Sequence, residues 1–315
     1  MSQTAPLHVV TGALGYTGRS LTEQLLQRGV RVRTLTNSPK RPNPFGERLE
    51  IHLLAFDDPV RLQESLRGAA VLHNTYWVRF NHRHFTFESA VANTNKLFDS
   101  ARVAGVQRIV HVSILHASEA DDLGYYRGKH ELEDALRATG IPHAIIRPGV
   151  LFGRFDILVN NIAWVLRRFP VFGLFGDGSY TLRLLHVDDM AALMVDHAGR
   201  TGNTAADAVG PERFTFRELV AAIRGILGVR RLIVPLPPLL GLAIGKCINP
   251  FVHDVIITRQ EIAGLMRCLL DSDEPAAGST RLTDWARANV ADLGVRYASE
   301  VGRRVQRAVS YDEVR

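Results

Sequence analysis

At 315 residues the chain is long enough for one large α/β unit or for a nucleotide-binding domain with a smaller partner, and the second arrangement is the expectation. Its 46% hydrophobic and 22% charged residues exclude disorder, collagen and repeat arrays. The net charge of +6 comes from Arg and Lys scattered singly or in pairs, which suits general affinity for anions and argues against a nucleic-acid partner.

The start, MSQTAPLHVV, has no basic segment leading an apolar core, and the longest apolar stretch, 232–245, is broken by three prolines. Neither a signal peptide nor a spanning helix is expected. Cys247 and Cys268 are too few for a disulfide framework or a zinc site, so core thiols in a reducing cytoplasm are expected, with no metal.

In chain order, Leu7–Thr11 reads as a β-branched strand, TGALGYTG as a glycine turn, and the following residues as a helix bounded by Gly29. Gly12 permits the tight turn, Gly15 lets backbone approach a pyrophosphate, and Gly18 lets helix and strand pack closely. Ala13, Leu14, Tyr16, Thr17 and Arg19 complete this candidate dinucleotide-binding segment. The second strand, VRVRTLTN at 30–37, ends without the carboxylate that grips both ribose hydroxyls in NAD enzymes. Asn37, Lys40 and Arg41 stand there instead, and with Arg19 they favour the 2′-phosphate of NADP(H) over NAD(H).

Strands are predicted over 49–56, 69–77 and 108–115, separated by helical stretches. Asp57 and Asp58 are placed to cap the helix that follows them. This βαβ rhythm predicts a Rossmann-like, doubly wound parallel sheet with ligands at the carboxyl ends of its strands, where Asn74 is a further cofactor candidate. GYYRGKHELED at 124–134 opens a helix, and Tyr125 stands four residues before Lys129, one turn away on the same face. Tyr126 stands three residues before it. The nucleotide-binding domain is expected over 1–155, with a final sheet strand from about 180–210; the remainder, 156–315, reads as a smaller, mainly helical substrate lobe.

TGALGYTG, YYRGK, RPGVLFG (147–153), HVDD (186–189) and GPERFTFREL (210–219) together resemble the short-chain dehydrogenase/reductase superfamily. The resemblance spans nearly the whole chain and lies near the extended and atypical branches, including the nucleotide-binding accessory subunit of respiratory complex I and nitrogen-regulator-like sensors. It implies that Tyr125 is a general acid, that Lys129 tunes it and holds the nicotinamide ribose, and that Ser113 polarises a carbonyl. Alignment with extended members also allows the serine position to fall on Ile114, with Ser118 and Thr75 as replacements. Pro148 joins the cofactor candidates.

Tyr76, Trp77, Phe152, Asn160 and Trp164 are candidate substrate residues, in segments that also hold Phe80, Phe155, Asn161 and Arg167; an aromatic pocket for an apolar or cyclic compound would follow. His82 and His84 lack partners with metal-ligand spacing. Gly149, where nucleotide-sugar members carry asparagine, and Leu182 and Arg183, where they carry an Arg-Asp pair, argue against a sugar-nucleotide substrate. The expected function is NADP(H)-dependent reduction of a carbonyl, or the reverse oxidation of a secondary alcohol, on a small molecule. The alternatives are a non-catalytic NAD(P)H-binding redox sensor or assembly subunit, and an NAD-dependent epimerase or dehydratase. A homodimer or a protein partner is compatible with each.

Overall fold

The structure, a computed structural model, describes residues 5–311, 313 and 314. Within it the side chains of Ile244, Lys246, Cys247, Ile248, Pro250 and Phe251 are not described, so the core-thiol expectation for Cys247 lies outside the described residues. The chain divides into two compact units, Met1–Pro148 with Met190–Asp207, and Gly149–Asp189 with Ala208–Arg315.

In chain order the elements begin with β1 (Leu7–Thr11), α1 (Tyr16–Gln27), β2 (Arg31–Thr36), β3 (Leu49–Leu53), α2 (Pro59–Leu66), β4 (Ala69–Asn74), α3 (Phe87–Val103), β5 (Arg108–Val112), α4 (Gly124–Ala138) and β6 (His143–Pro148). They continue with β7 (Val150–Phe152), α5 (Leu158–Arg168), β8 (Val171–Phe175), β9 (Thr181–His186), α6 (Val187–Gly199) and β10 (Thr204–Ala208). Last come β11 (Arg213–Thr215), α7 (Phe216–Ile226), β12 (Leu232–Leu236), α8 (Pro238–Val252), α9 (Arg259–Met266), α10 (Leu282–Ala288) and α11 (Glu300–Val305).

Seven strands form a parallel sheet in the order β10-β6-β5-β4-β1-β2-β3, flanked by helices, which is the Rossmann-like fold the alternating pattern predicts. All five residues of β1 are buried, as a strand covered on both faces requires. Val9, Leu35, Leu72, Ile109 and Ile145 from five neighbouring strands share one core with Leu62, Leu97 and Leu132 from α2, α3 and α4. Asp58 caps α2 by accepting from the Arg61 amide at 3.0 Å, leaving Asp57 outside the cap.

The second unit holds more strand than its composition suggests. VFGLF, within the stretch expected to be mainly helical, forms β8, with Phe172 and Leu174 turned inward and Val171 outward. The run LIVPL, expected to be mainly helical, forms β12 and pairs in parallel with β8. Pro235 is tolerated because β12 has a neighbour on one side alone, where the missing N–H interrupts little. A three-stranded sheet, β11-β9-β7, completes the unit. Its core gathers Phe152, Leu174, Leu184, Leu219 and Ile223, and α7 starts at a capping box in which Thr215 and Glu218 satisfy each other's amides.

Candidate functional site

The glycine turn begins with Gly12 at φ +73°, a conformation that disfavours side chains, and its amide donates to the Leu35 carbonyl at 2.9 Å. Gly15 donates to the Gly12 carbonyl at 2.8 Å and precedes α1. A Cβ on Gly18 would sit 2.2 Å from the Gly12 oxygen, so the third glycine is demanded by backbone-to-backbone approach. α1 has no side-chain cap and no acid in its first turn, so the positive end of its dipole meets no carboxylate of its own. A cradle that a Cβ would fill, ahead of a helix end suited to an anion, fits a dinucleotide pyrophosphate.

Ala13 and Leu14 are buried, and the Ala13 amide donates to the Thr34 hydroxyl at 3.0 Å, which turns that N–H toward the protein. Tyr16, Thr17 and Arg19 open α1 and are half-buried. At the end of β2, Asn37 and Lys40 are exposed, Arg41 is buried, and no acidic residue occurs between Thr36 and Gly46.

Sequence reading placed Asn74 at the strand ends but missed the network around it. Thr11 donates through its hydroxyl to Asn74 Oδ1 at 3.1 Å and accepts from the amides of Thr75 and Tyr76. Thr75 returns its hydroxyl to the Thr11 carbonyl at 2.6 Å. Asn74 Oδ1 also accepts from the Tyr76 amide, so its Nδ2 is the donor to His111 Nδ1 at 3.0 Å. His111 is fully buried, and burial, helped by the Lys129 charge and opposed by Glu133, lowers its pKa to about 3. It is therefore neutral, with its proton on Nε2.

α4 buries Tyr126, Lys129, Leu132, Glu133 and Leu136, a helical face that carries an ammonium and a carboxylate one turn apart. Such a break in apolar patterning marks a constrained site. Lys129 is 2% exposed, donates to the Val112 carbonyl at 2.6 Å, and lies 4.6 Å from the centre of the Trp77 ring. Burial lowers its pKa from 10.5 to about 7, against the opposing pull of Glu133. Burial alone would raise the Glu133 pKa, but hydrogen bonds from Arg147, the Arg147 charge and a bond from Arg137 hold it low.

Tyr125 is half-buried and meets Trp77 and Phe87 edge-to-face, at centroid distances of 5.7 and 5.9 Å. Trp77 therefore contacts both members of the Tyr-Lys pair. Gly128 gives the indole its room, because a Cβ there would lie 2.8 Å from Trp77 Cη2. Tyr126 is buried beside Tyr125.

Ser113 is buried, and its hydroxyl has no hydrogen-bond partner among the described residues. Ile114 is also buried, Ser118 is exposed, and Thr75 is engaged with Thr11. Pro148 is buried at the end of β6, where its carbonyl accepts from Leu115. Tyr76 is half-buried, packs on Phe56 and accepts from Asn93.

The other candidate substrate residues lie in the second unit. Phe152 is fully buried against His186 and Trp285. Asn160 accepts from the Gly294 amide and donates to the Arg296 carbonyl, Asn161 bonds both backbone groups of Ala298, and Arg167 donates to Leu293 and Val290. Trp164 packs between Phe169 and Tyr297 under Arg168. These side chains hold α5 to the C-terminal segment. Phe155 has φ +74° and packs on Tyr311. Gly149 has a packing reason too, since a Cβ would lie 2.3 Å from the Arg183 carbonyl, and the Arg183 guanidinium holds the carbonyls of Gly210, Ser272 and Glu274.

His84 is exposed and His82 pairs through its backbone with Phe85; among the described residues no group of three or more His, Cys, Asp or Glu is placed to hold a metal. No helix among them is long and apolar enough to cross a membrane.

Glycine turn, uncapped helix and seven-stranded parallel sheet define a dinucleotide-binding domain. Residues 12–154, a little under half of the chain, match the model of the NAD(P)H-binding family. The chain is 29% identical over 225 residues to the mitochondrial NADH dehydrogenase (ubiquinone) 1 alpha subcomplex subunit 9 of Arabidopsis thaliana, an alignment covering 67% of this chain and 55% of that subunit. It thus spans little more than half of that relative. To a ceramide reductase of Caulobacter vibrioides it is 29% identical over 240 residues, 72% of this chain and 73% of the reductase. Its fold matches that of an NADPH-dependent quinone oxidoreductase from Escherichia coli, complexed with NADPH, with a TM-score of 0.74 at 18% identity, covering 90% of this chain and 100% of that one.

Proposed function

We propose that the protein is an NADP(H)-dependent oxidoreductase that reduces a carbonyl on an apolar or cyclic small molecule, or oxidises the corresponding secondary alcohol, in a reducing compartment such as the cytoplasm. The observation that carries the reading is the pairing of a buried Lys129 and a half-buried Tyr125 on one helix, both against Trp77. When bound, the nicotinamide supplies the hydride. Gly12, Gly15 and Gly18 hold the pyrophosphate at the N-terminus of α1, and Lys40 and Arg41 hold the 2′-phosphate. Tyr125 gives its phenolic proton to the substrate oxygen, and the ammonium form of Lys129 stabilises the phenolate left behind. Trp77 shields both from water. Ser113, whose buried hydroxyl has no hydrogen-bond partner among the described residues, helps polarise the substrate carbonyl, and Glu133 keeps a compensating charge one turn from Lys129.

The burial of Ser113 also favours a second reading, a non-catalytic NAD(P)H-binding subunit in which bound cofactor stabilises the fold for a protein partner. The complex I relative supports it. Loss of NADPH absorbance with a panel of ketones, quinones and enones separates the two. Tyr125→Phe is expected to lower turnover by roughly a hundred- to ten-thousand-fold with NADPH affinity retained. Tight NADPH binding with no turnover on any of them would instead support the subunit. Lys40→Glu should weaken NADPH about tenfold and leave NADH unchanged; equal losses for both would overturn the 2′-phosphate assignment.

A further inference from the structure

In the second unit, two stretches free of acidic residues come together. Residues 157–176 and 219–253 contain no Asp or Glu but carry Arg167, Arg168, Arg224, Arg230, Arg231 and Lys246. β8 and β12 lie in these stretches and pair in parallel, with Val171 opposite Leu232. Strand alternation puts Val171, Gly173 and Phe175 on the outer face of β8. At its far end Leu236 packs on Gly173 and Gly241 of α8 on Phe175, while Val171 remains 40% exposed. Leu232 is 67% exposed and Leu239, in the first turn of α8, is 78% exposed, with Phe169 and Leu240 also exposed. Leu232 opens β12 and Leu239 follows its far end, and large aliphatic side chains so open at both ends of one ribbon are uncommon on a surface that faces water alone.

The border of this patch is rich in arginine, with Asp292 the acidic residue in the segment that Arg167 and Arg168 bond. Arg167, Arg168, Arg224 and Arg231 direct their guanidiniums at backbone carbonyls rather than carboxylates, and Arg230 is exposed. Hydrogen bonding to carbonyls fixes these groups but cancels none of their net charge. A two-fold contact between copies would set this patch against itself and bring like charges face to face. An anionic surface with an apolar layer beneath it complements both properties.

We propose that the β8–β12–α8 face is a membrane-surface docking site that rests on anionic phospholipid, with Leu232 and Leu239 entering the acyl boundary and the bordering arginines contacting headgroup phosphates. The contact is interfacial. Short apolar elements bind such surfaces through buried apolar area plus attraction of each cation to the anionic leaflet. The consequence is access to substrates that partition into lipid, whatever reaction the first unit supports.

The test is flotation of the full chain with vesicles of phosphatidylcholine alone and with phosphatidylcholine containing one-third phosphatidylglycerol, at low and raised ionic strength. Binding to the anionic vesicles, weakened by salt, is expected. Arg230→Glu should weaken it roughly fivefold or more, and the double change Leu232→Glu, Leu239→Glu at least about tenfold, with thermal unfolding unchanged. The control Val60→Glu, at an exposed apolar residue of the first unit, should bind as the parent does. Absence of binding to anionic vesicles, equal binding by the parent and the double variant, or a dimer that the double variant dissociates would each overturn the assignment. So would capture of an acidic protein on this face by a chain that ignores vesicles.

Discussion

Gly18 shows how one absent side chain ties sequence to cofactor. Its hydrogen faces the Gly12 carbonyl, so Gly18→Ala must either push α1 away from the sheet or open the turn. The expected cost is about 1–3 kcal/mol of stability, accompanied by weaker NADPH binding. Calorimetry and cofactor titration check both; an unshifted melting temperature would show that the turn is not packed as described. Lys129 has the opposite character, a polar group forced inward. With its pKa lowered from 10.5 to about 7, the folded chain binds fewer protons than the unfolded chain between those values. Stability therefore rises with pH across that window on account of this group, and the contribution is flat below about 7 and above about 10.5. Lys129→Met should flatten the slope of unfolding free energy against pH between about 7 and about 9, measured by urea titration. An identical slope in the variant would mean that the amine reaches water. The Tyr-Lys spacing was legible because it lies within one helix. The burial of Ser113 was not, because a strand end fixes its face by tertiary register, and neither was the Thr11–Asn74–His111 network, whose members come from three strands far apart in sequence.

Among the elements, β1 and α1 were readable from end to end, since apolar run, glycine turn and Gly29 all agree with the observed boundaries. β8 and β12 were hidden for a physical reason: a short apolar run does not distinguish strand from helix, and the prolines of 232–238 read as loop or helix start. α5 falls in the stretch expected to be mainly helical, but its polar side chains serve a purpose that periodicity does not reveal. Asn160, Asn161, Arg167 and Arg168 bond backbone between Val290 and Ala298, so this helix is the rail on which the C-terminal segment is laid. Asn161→Ala removes a matched donor and acceptor from Ala298 and should cost about 1–3 kcal/mol. Limited proteolysis is the direct readout, with faster cleavage in residues 290–305 expected. A cleavage pattern like the parent's would mean that the arginines alone secure the segment.

At the scale of the molecule, the sheet is assembled from two separate parts of the chain. Arg108 in β5 fastens the later part, donating to the carbonyls of His197 and Gly202 and to that of His143 in β6. Replacing it with Met leaves three carbonyls without their donor, at an expected cost of about 3 kcal/mol. Denaturant unfolding followed by cofactor binding measures this, and an unaltered midpoint would show that sheet pairing alone suffices. Sequence reading anticipated a final strand from about 180–210, and β10 at Thr204–Ala208 lies beside β6 in the sheet.

That order of assembly governs how the protein can be made. When β6 leaves the ribosome its outer edge has no neighbour, and the strand that closes it is synthesised only after Gly149–Asp189 has been threaded through. During that interval the nascent chain presents bare amides and carbonyls along an apolar strand, an adhesive border for any other unfinished polypeptide. Slow translation through this stretch would prolong the exposure, so the codons between β6 and β10 bear on yield even where the amino acids do not change.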